Sequence, residues 1–187
     1  MDDKDLKINT IKYLYHGTNQ EFDDFDFRKA KPYKDFGRGY YLTSDFAQAQ
    51  KWAQRKAREE SRAYVYRYEI NEAVPKDWKI LELLQYDKEW IDFISKCRIE
   101  GMETDHDIIY DRMADSRGDE LSDYLQDYVD NMVTADEIIE KIKWDDTLNK
   151  DQFCFKNEKA LQLLRDRRKL ILERDKQRRW KIGEKEW

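Results

Sequence analysis

Proline occurs twice, cysteine twice, histidine twice and glycine six times in 187 residues. No Pro/Gly-rich linker, internal repeat or low-complexity segment divides the chain, and its length suits one domain, 1–187. Cys97 and Cys154, in a chain that opens without a secretory leader, are expected as reduced thiols and not as a disulfide. The cysteines and His16 and His106 lie far apart, so no metal-ligand spacing recurs and no metal site is expected. No apolar run approaches the roughly 18 residues of a membrane-spanning helix. The N-terminal MDDKDLKINT also lacks an apolar signal core. A cytoplasmic protein with no membrane partner is the expectation.

What is abundant is charge and aromatic surface. Charged residues make up 41% of the chain and aromatics 14%, with 12 Tyr and 6 Trp. The aromatic share excludes a disordered chain. The net charge of −5 is unevenly spread. Residues 103–140 hold 13 acidic and 2 basic side chains, whereas 165–187 hold 10 basic and 5 acidic. The acidic stretch suits a basic partner. The basic tail suits either phosphate contacts or a solvated helix face with i,i+4 pairs.

Lys12–His16 is β-prone and ends at Gly17, and residues 20–35 read as a loop. Two glycines, Gly37 and Gly39, precede the β-prone run Tyr40–Thr43, where glycine permits close approach of the backbone to a ligand. A helix follows, capped by Ser44 or Asp45, with Phe46, Ala49, Trp52, Ala53 and Ala57 on one apolar stripe. Strands are predicted over Ala63–Ile70, Trp78–Leu84, His106–Tyr110 and Gln152–Phe155. Helices are predicted over Lys88–Arg98 and, singly or as a pair, over 119–143, with Leu121, Tyr124, Leu125, Tyr128, Ile138, Ile139 and Ile142 as apolar positions. Asn157 is expected to cap a final basic helix from Glu158 to about Trp180. Strands and helices mix without regular βαβ alternation, so the predicted class is α+β.

Several chemistries are absent from the pattern. There is no P-loop lysine and no Gly-x-Ser-x-Gly elbow, and Gly37-Arg38-Gly39 precedes a strand and lacks the third glycine of a dinucleotide fingerprint. What remains is His16-Gly17-Thr18 at a strand end, Phe36-Gly37-Arg38-Gly39-Tyr40-Tyr41-Leu42-Thr43, a helix with Ala49-x-x-Trp52-Ala53, and Gln152 at the start of a late strand.

In this order and spacing the blocks resemble the ADP-ribosyltransferase superfamily, in its diphtheria-toxin and poly(ADP-ribose) polymerase branch with a His–Tyr–Glu signature. Together with Glu89–Ile94, Asp107–Asp111 and Asp151–Phe155 they are closest to the bacterial DUF3990 family, over residues 13–164. The resemblance implies a split, mostly antiparallel β core with helical insertions, and NAD+ as co-substrate. It places His16 against the adenosine ribose, Gly17 against the nicotinamide carboxamide, and Tyr41 and Trp52 on the nicotinamide ring. Thr18, Arg38 and Gly39 complete the implied NAD-binding set, and the implied catalytic residues are Gln152, His16 and Tyr41. Ala49 stands where many polymerases have a carboxamide-binding serine.

Gln152 stands where the polymerases place a catalytic glutamate. Glutamine hydrogen-bonds but carries no negative charge and accepts no proton. Polymer elongation is therefore not expected, and transfer of a single ADP-ribose to a protein or nucleic-acid acceptor is. The resemblance further implies a toxin of a toxin–antitoxin or phage-defence system, with an antitoxin protein as partner. NAD glycohydrolysis and a catalytically silent NAD- or ADP-ribose-binding module are the alternatives. A general base, where one is required, is sought among Asp35, Asp111, Asp115 and Asp151, or on the acceptor. Each residue also has a structural reading: a hydrogen-bonded histidine at 16, a packing tryptophan at 52, a polar strand residue at 152, a solvated aspartate at 151 and a small buried hydrophobe at Cys154. Because neighbouring strand residues alternate in facing, one of Tyr40 and Tyr41 is expected in the core.

Overall fold

A computed structural model of the protein describes residues 6–112, 118–141 and 150–187. Its elements in chain order are β1 (Tyr13–Thr18), β2 (Tyr40–Leu42), α1 (Phe46–Lys56), β3 (Arg62–Glu69), β4 (Ile80–Leu83), α2 (Lys88–Arg98), β5 (Ile108–Asp111), α3 (Gly118–Val129), α4 (Ala135–Lys141), β6 (Gln152–Phe155), α5 (Glu158–Leu161), β7 (Arg165–Arg174) and β8 (Trp180–Lys185). The class is α+β, with two four-stranded sheets. The chain divides into two compact units. The first comprises Met1–Phe25, Tyr41–Asp77 and Glu158–Trp187, and the second Asp26–Tyr40 and Trp78–Asn157.

In the first unit the sheet runs β1-β3-β7-β8 with every neighbouring pair antiparallel. Asp45 caps α1, its side chain accepting from the Ala47 N–H at 2.8 Å. The helix lays its small residues on the sheet: Ala49, Ala53 and Ala57 form one buried cluster with Ala63 and Val65 of β3 and Leu170 and Leu172 of β7. Such close seating needs a residue without a side chain beneath it. A Cβ on Gly17 would lie 1.9 Å from the Ala49 carbonyl oxygen and 2.8 Å from the Ala53 nitrogen, so only glycine fits.

The predicted basic helix over 158–180 is overturned. Only Glu158–Leu161 is helical, and the chain then forms the β7–β8 hairpin. Arginine and lysine favour helix intrinsically, but Leu170 and Leu172 are fully buried against the apolar cluster, and burial outweighs tenths of a kcal/mol of propensity. Asp175 closes the hairpin, its side chain accepting from the Gln177 and Arg179 N–H groups at 2.9 Å each, while Arg178 takes φ of 61°.

The other sheet has the order β2-β6-β5-β4, with β5–β6 antiparallel and β4–β5 parallel, and β4, β5 and β6 lie in the second unit. Every residue of β5 and β6 is buried. Asp87 caps α2 by accepting from the Trp90 N–H at 2.9 Å, and the helix buries Trp90, Ile91, Ile94, Ser95 and Cys97. The acidic stretch is a helix pair, the second starting with a capping box in which Glu137 accepts from the Thr134 N–H at 2.7 Å. Ile142 lies outside the described residues. Among those described, no helix is long and apolar enough to cross a membrane.

Candidate functional site

The sequence-predicted residues divide between the units. His16, Gly17, Thr18, Tyr41 and Trp52 belong to the first, and Arg38, Gly39 and Gln152 to the second.

In the first unit, Tyr15 and Thr43 form an antiparallel bridge that brings the His-Gly-Thr strand beside the Tyr-Tyr strand. The outcome is one specific bond: His16 Nδ1 lies 2.7 Å from the Tyr41 carbonyl oxygen. A carbonyl only accepts, so Nδ1 carries the proton and Nε2 the lone pair. Burial, reinforced by the nearby Lys56 charge, pushes the His16 pKa down to about 3 against the opposing Tyr41 hydrogen bond. The ring is therefore neutral across the physiological range. Tyr40 is buried and Tyr41 partly exposed, as the strand alternation predicts. The Gly17 carbonyl accepts from Lys56 Nζ at 3.2 Å, and the buried Thr18 hydroxyl accepts from the Gln20 N–H at 3.1 Å. Trp52 departs from the predicted buried stripe. It is 37% exposed and lies 5.4 Å beneath the Arg55 guanidinium, because α1 packs through its alanines, one position round the helix.

In the second unit, Arg38 donates from its side chain to the Ala30 carbonyl and lies 3.8 Å from Glu103. A Cβ on Gly39 would lie 2.2 Å from Cys154 Sγ, so this glycine already meets β6 closely. Gln152 is 8% exposed, and its Nε2 donates to Asp35 Oδ2 at 2.9 Å. Asp35 Oδ1 pairs with Arg98 Nε at 2.8 Å. Directly across β5–β6 from Gln152 stands Asp111, which is 1% exposed. Trp90 Nε1 donates to Asp111 Oδ2 at 3.1 Å, while buried Oδ1 has no partner among the described residues. Burial pushes the Asp111 pKa up to about 8, with the Asp35 charge adding to the effect and the Trp90 hydrogen bond and the nearby Gln152 amide opposing it.

The family profile described as Protein of unknown function (DUF3990) matches residues 12–165. The chain belongs to the DUF3990 family. No curated protein matches it, and no solved structure does. The match reaches from β1 through α5 to the first residue of β7, so nearly all of the basic hairpin lies outside the matched residues.

Within this DUF3990 chain the expected solvated aspartate is corrected: Asp151 is buried, at 5% exposure, because every residue from it through Phe155 is enclosed. Asp115 lies outside the described residues. Cys97 and Cys154 are free and buried, and burial pushes the Cys97 thiol up to about 11, away from an activated nucleophile. Among the described residues no group of His, Cys, Asp and Glu is arranged to hold a metal ion. A separate groove of about 530 Å³ runs past Lys88, Asp92, Tyr128 and Met132, and none of the expected site residues lines it. Sequence reasoning missed the partners of the polar cluster, Trp90 and Arg98, because both sit on a helix whose pattern reports only amphipathicity.

Proposed function

We propose that this DUF3990 protein is an NAD-dependent mono-ADP-ribosyltransferase. In the reaction the bond between ribose C1′ and the nicotinamide nitrogen breaks, and its electron pair leaves with nicotinamide. A new bond forms from C1′ to the acceptor nucleophile, whose proton is released. The observation that carries the reading is the His16–Tyr41 hydrogen bond, which ties the two motif blocks behind the resemblance into one constellation. With Nδ1–H held by a main-chain carbonyl, Nε2 is the acceptor suited to a ribose hydroxyl. Tyr41, partly exposed, supplies an aromatic face for the nicotinamide ring. Gln152 is assigned to the nicotinamide ribose, where an oxocarbenium-like charge develops. Lacking a carboxylate there, the enzyme transfers one unit and does not elongate. A protein or nucleic-acid acceptor, a toxin role and an antitoxin partner follow from the resemblance alone.

The neutral, enclosed Gln152 also favours a second reading, a module that binds NAD or ADP-ribose without turnover. Labelled NAD separates them. Label on a macromolecule supports transfer, free ADP-ribose indicates glycohydrolysis, and intact bound NAD indicates the silent module. In the transferase, Gln152→Ala lowers kcat more than it raises KM, since its hydrogen bond counts most as charge develops. His16→Ala weakens NAD binding by about 0.5–1.5 kcal/mol. A folded His16→Ala protein with unchanged NAD affinity rejects the assignment.

A further inference from the structure

The second unit contains a polar assembly that a purely structural account leaves incomplete. From α2, Arg98 pairs with Asp35, and Asp35 in turn accepts one N–H of the Gln152 amide. That amide has a second N–H. The residue directly opposite Gln152 in an antiparallel pair has its Cβ about 5 Å away. Here that residue is Asp111, anchored on one oxygen by the Trp90 indole, with its other oxygen buried and without a hydrogen-bond partner among the described residues, and with the Gln152 amide near enough to act on the carboxyl. A buried polar atom without a partner costs roughly 1–3 kcal/mol, so its retention calls for a reason.

We propose that Asp111 is a positioning residue for Gln152: its open oxygen takes the second amide N–H, so that Asp35 and Asp111 together fix the side chain and supply the negative charge residue 152 lacks. Held on both N–H groups by carboxylates, the amide is polarised toward Oε1. That oxygen becomes a stronger acceptor for a ribose hydroxyl and a better host for developing positive charge. The consequence for turnover rests on the transferase reading, whereas the Asp111–Gln152 link does not.

Asp111 acts this way only when ionised. The charged and titratable groups around it are Asp35 on the segment before β2, Arg98 and, ahead of α2, Tyr86, with Tyr110 and Arg112 on and after β5, and Asp151 before β6. Burial pushes Tyr86 up and Tyr110 up to about 12, so neither phenol ionises near neutrality. The Asp111 carboxyl titrates near 8, and Gln152 is set as the proton leaves.

The test is the pH dependence of the Gln152 side-chain amide, followed by nitrogen NMR on the full chain and assigned by its loss in Gln152→Ala. The expected result is a shift with a midpoint near 8 that disappears in Asp111→Asn. An amide that does not titrate, or one that titrates unchanged in Asp111→Asn, overturns the proposal. Asp35→Asn supplies an independent arm that leaves Asp111 in place. Removing the Asp35 charge lowers the midpoint, and a midpoint that stays or rises overturns the proposal. In NAD turnover, kcat rises through the same midpoint, and Asp111→Asn lowers it about 10-fold with little change in KM. Unchanged kcat in that variant overturns the positioning role. A wild-type chain that consumes no NAD overturns the transferase reading alone, and the amide titration then decides the Asp111–Gln152 link by itself.

Discussion

His16 in the first unit is partly buried and Asp111 in the second is fully enclosed, and burial drives both toward their neutral forms. The outcomes differ because one is a base, neutral without its proton, and the other an acid, neutral with it. The His16 Nδ1–H has a main-chain carbonyl, and its pKa falls to about 3, well below neutrality. Asp111 has one oxygen satisfied and one open, and its pKa rises to about 8, within reach of ordinary conditions. The first is a fixed hydrogen-bonding fixture and the second a group that changes state. Enclosure alone does not distinguish them. The sign of the shift and the unfilled valence do.

The largest expected effect breaks the fixed side of this comparison. Gly17→Ala drives a methyl group into the main chain of α1, which cannot move aside as a side chain would. The expected loss is about 3 kcal/mol or more, read as a lowered urea midpoint or failure to fold.

The next effect separates the two groups by pH. His16 titrates at about 6.5 unfolded and about 3 folded, so its contribution to stability is present above 6.5 and lost as pH falls toward 3. Asp111 runs oppositely, from about 3.8 unfolded to about 8 folded. Its contribution is present below 3.8 and lost as pH rises through 8. The two oppose each other below 6.5, and between 6.5 and 8 only Asp111 acts. Across that upper window wild-type stability should fall by about 1 kcal/mol per pH unit from this group, and Asp111→Asn should remove the slope. Equal slopes in the two proteins would contradict the shift.

A smaller effect isolates the histidine. In a folded His16→Gln protein the contribution that offsets Asp111 between about pH 4 and 6 is lost, so stability should fall with rising pH there more steeply than in wild type, while the behaviour between 6.5 and 8 stays as in wild type. Unfolding midpoints at stepped pH check both halves.

The smallest effect is expected at the hairpin tip. Lys176 and Lys181 are exposed, and replacing both with Gln should change stability by less than about 0.5 kcal/mol and move neither titration. Weaker, less salt-dependent labelling of the acceptor by this variant would place phosphate binding there. Truncation after Leu170 would not test this, since it removes fully buried Leu172 and all of β8.

The fold was legible where local signals agreed. Asp45 before an alanine-rich stripe marked α1, and the Tyr/Val run marked β3. It was misread at 165–185, where helix-favouring side chains form a hairpin whose turn places arginine, and not glycine, at positive φ. The buried triplet Leu170-Ile171-Leu172 was the strand signal there, and charge obscured it. The blocks that carry His16, Tyr41 and Gln152 were visible as short strings along the chain. The Asp111–Trp90–Arg98 surroundings were not, because register and burial across strands place them, and neither shows in spacing along the chain.

The place of β7 in the first sheet sets the order of assembly. It lies between β3 and β8, yet β4 to α5 intervene in the chain between β3 and β7. A nascent chain that has emerged as far as α5 holds β1 and β3 while one edge of β3 is still a row of unpaired amides and carbonyls. Closing that edge is a late, sequence-distant event, of the kind that slows folding and leaves an adhesive strand exposed during synthesis. The charges of Arg165, Arg167 and Arg168, exposed on the strand that completes the sheet, therefore also serve as a solubilising fringe on the segment that arrives last.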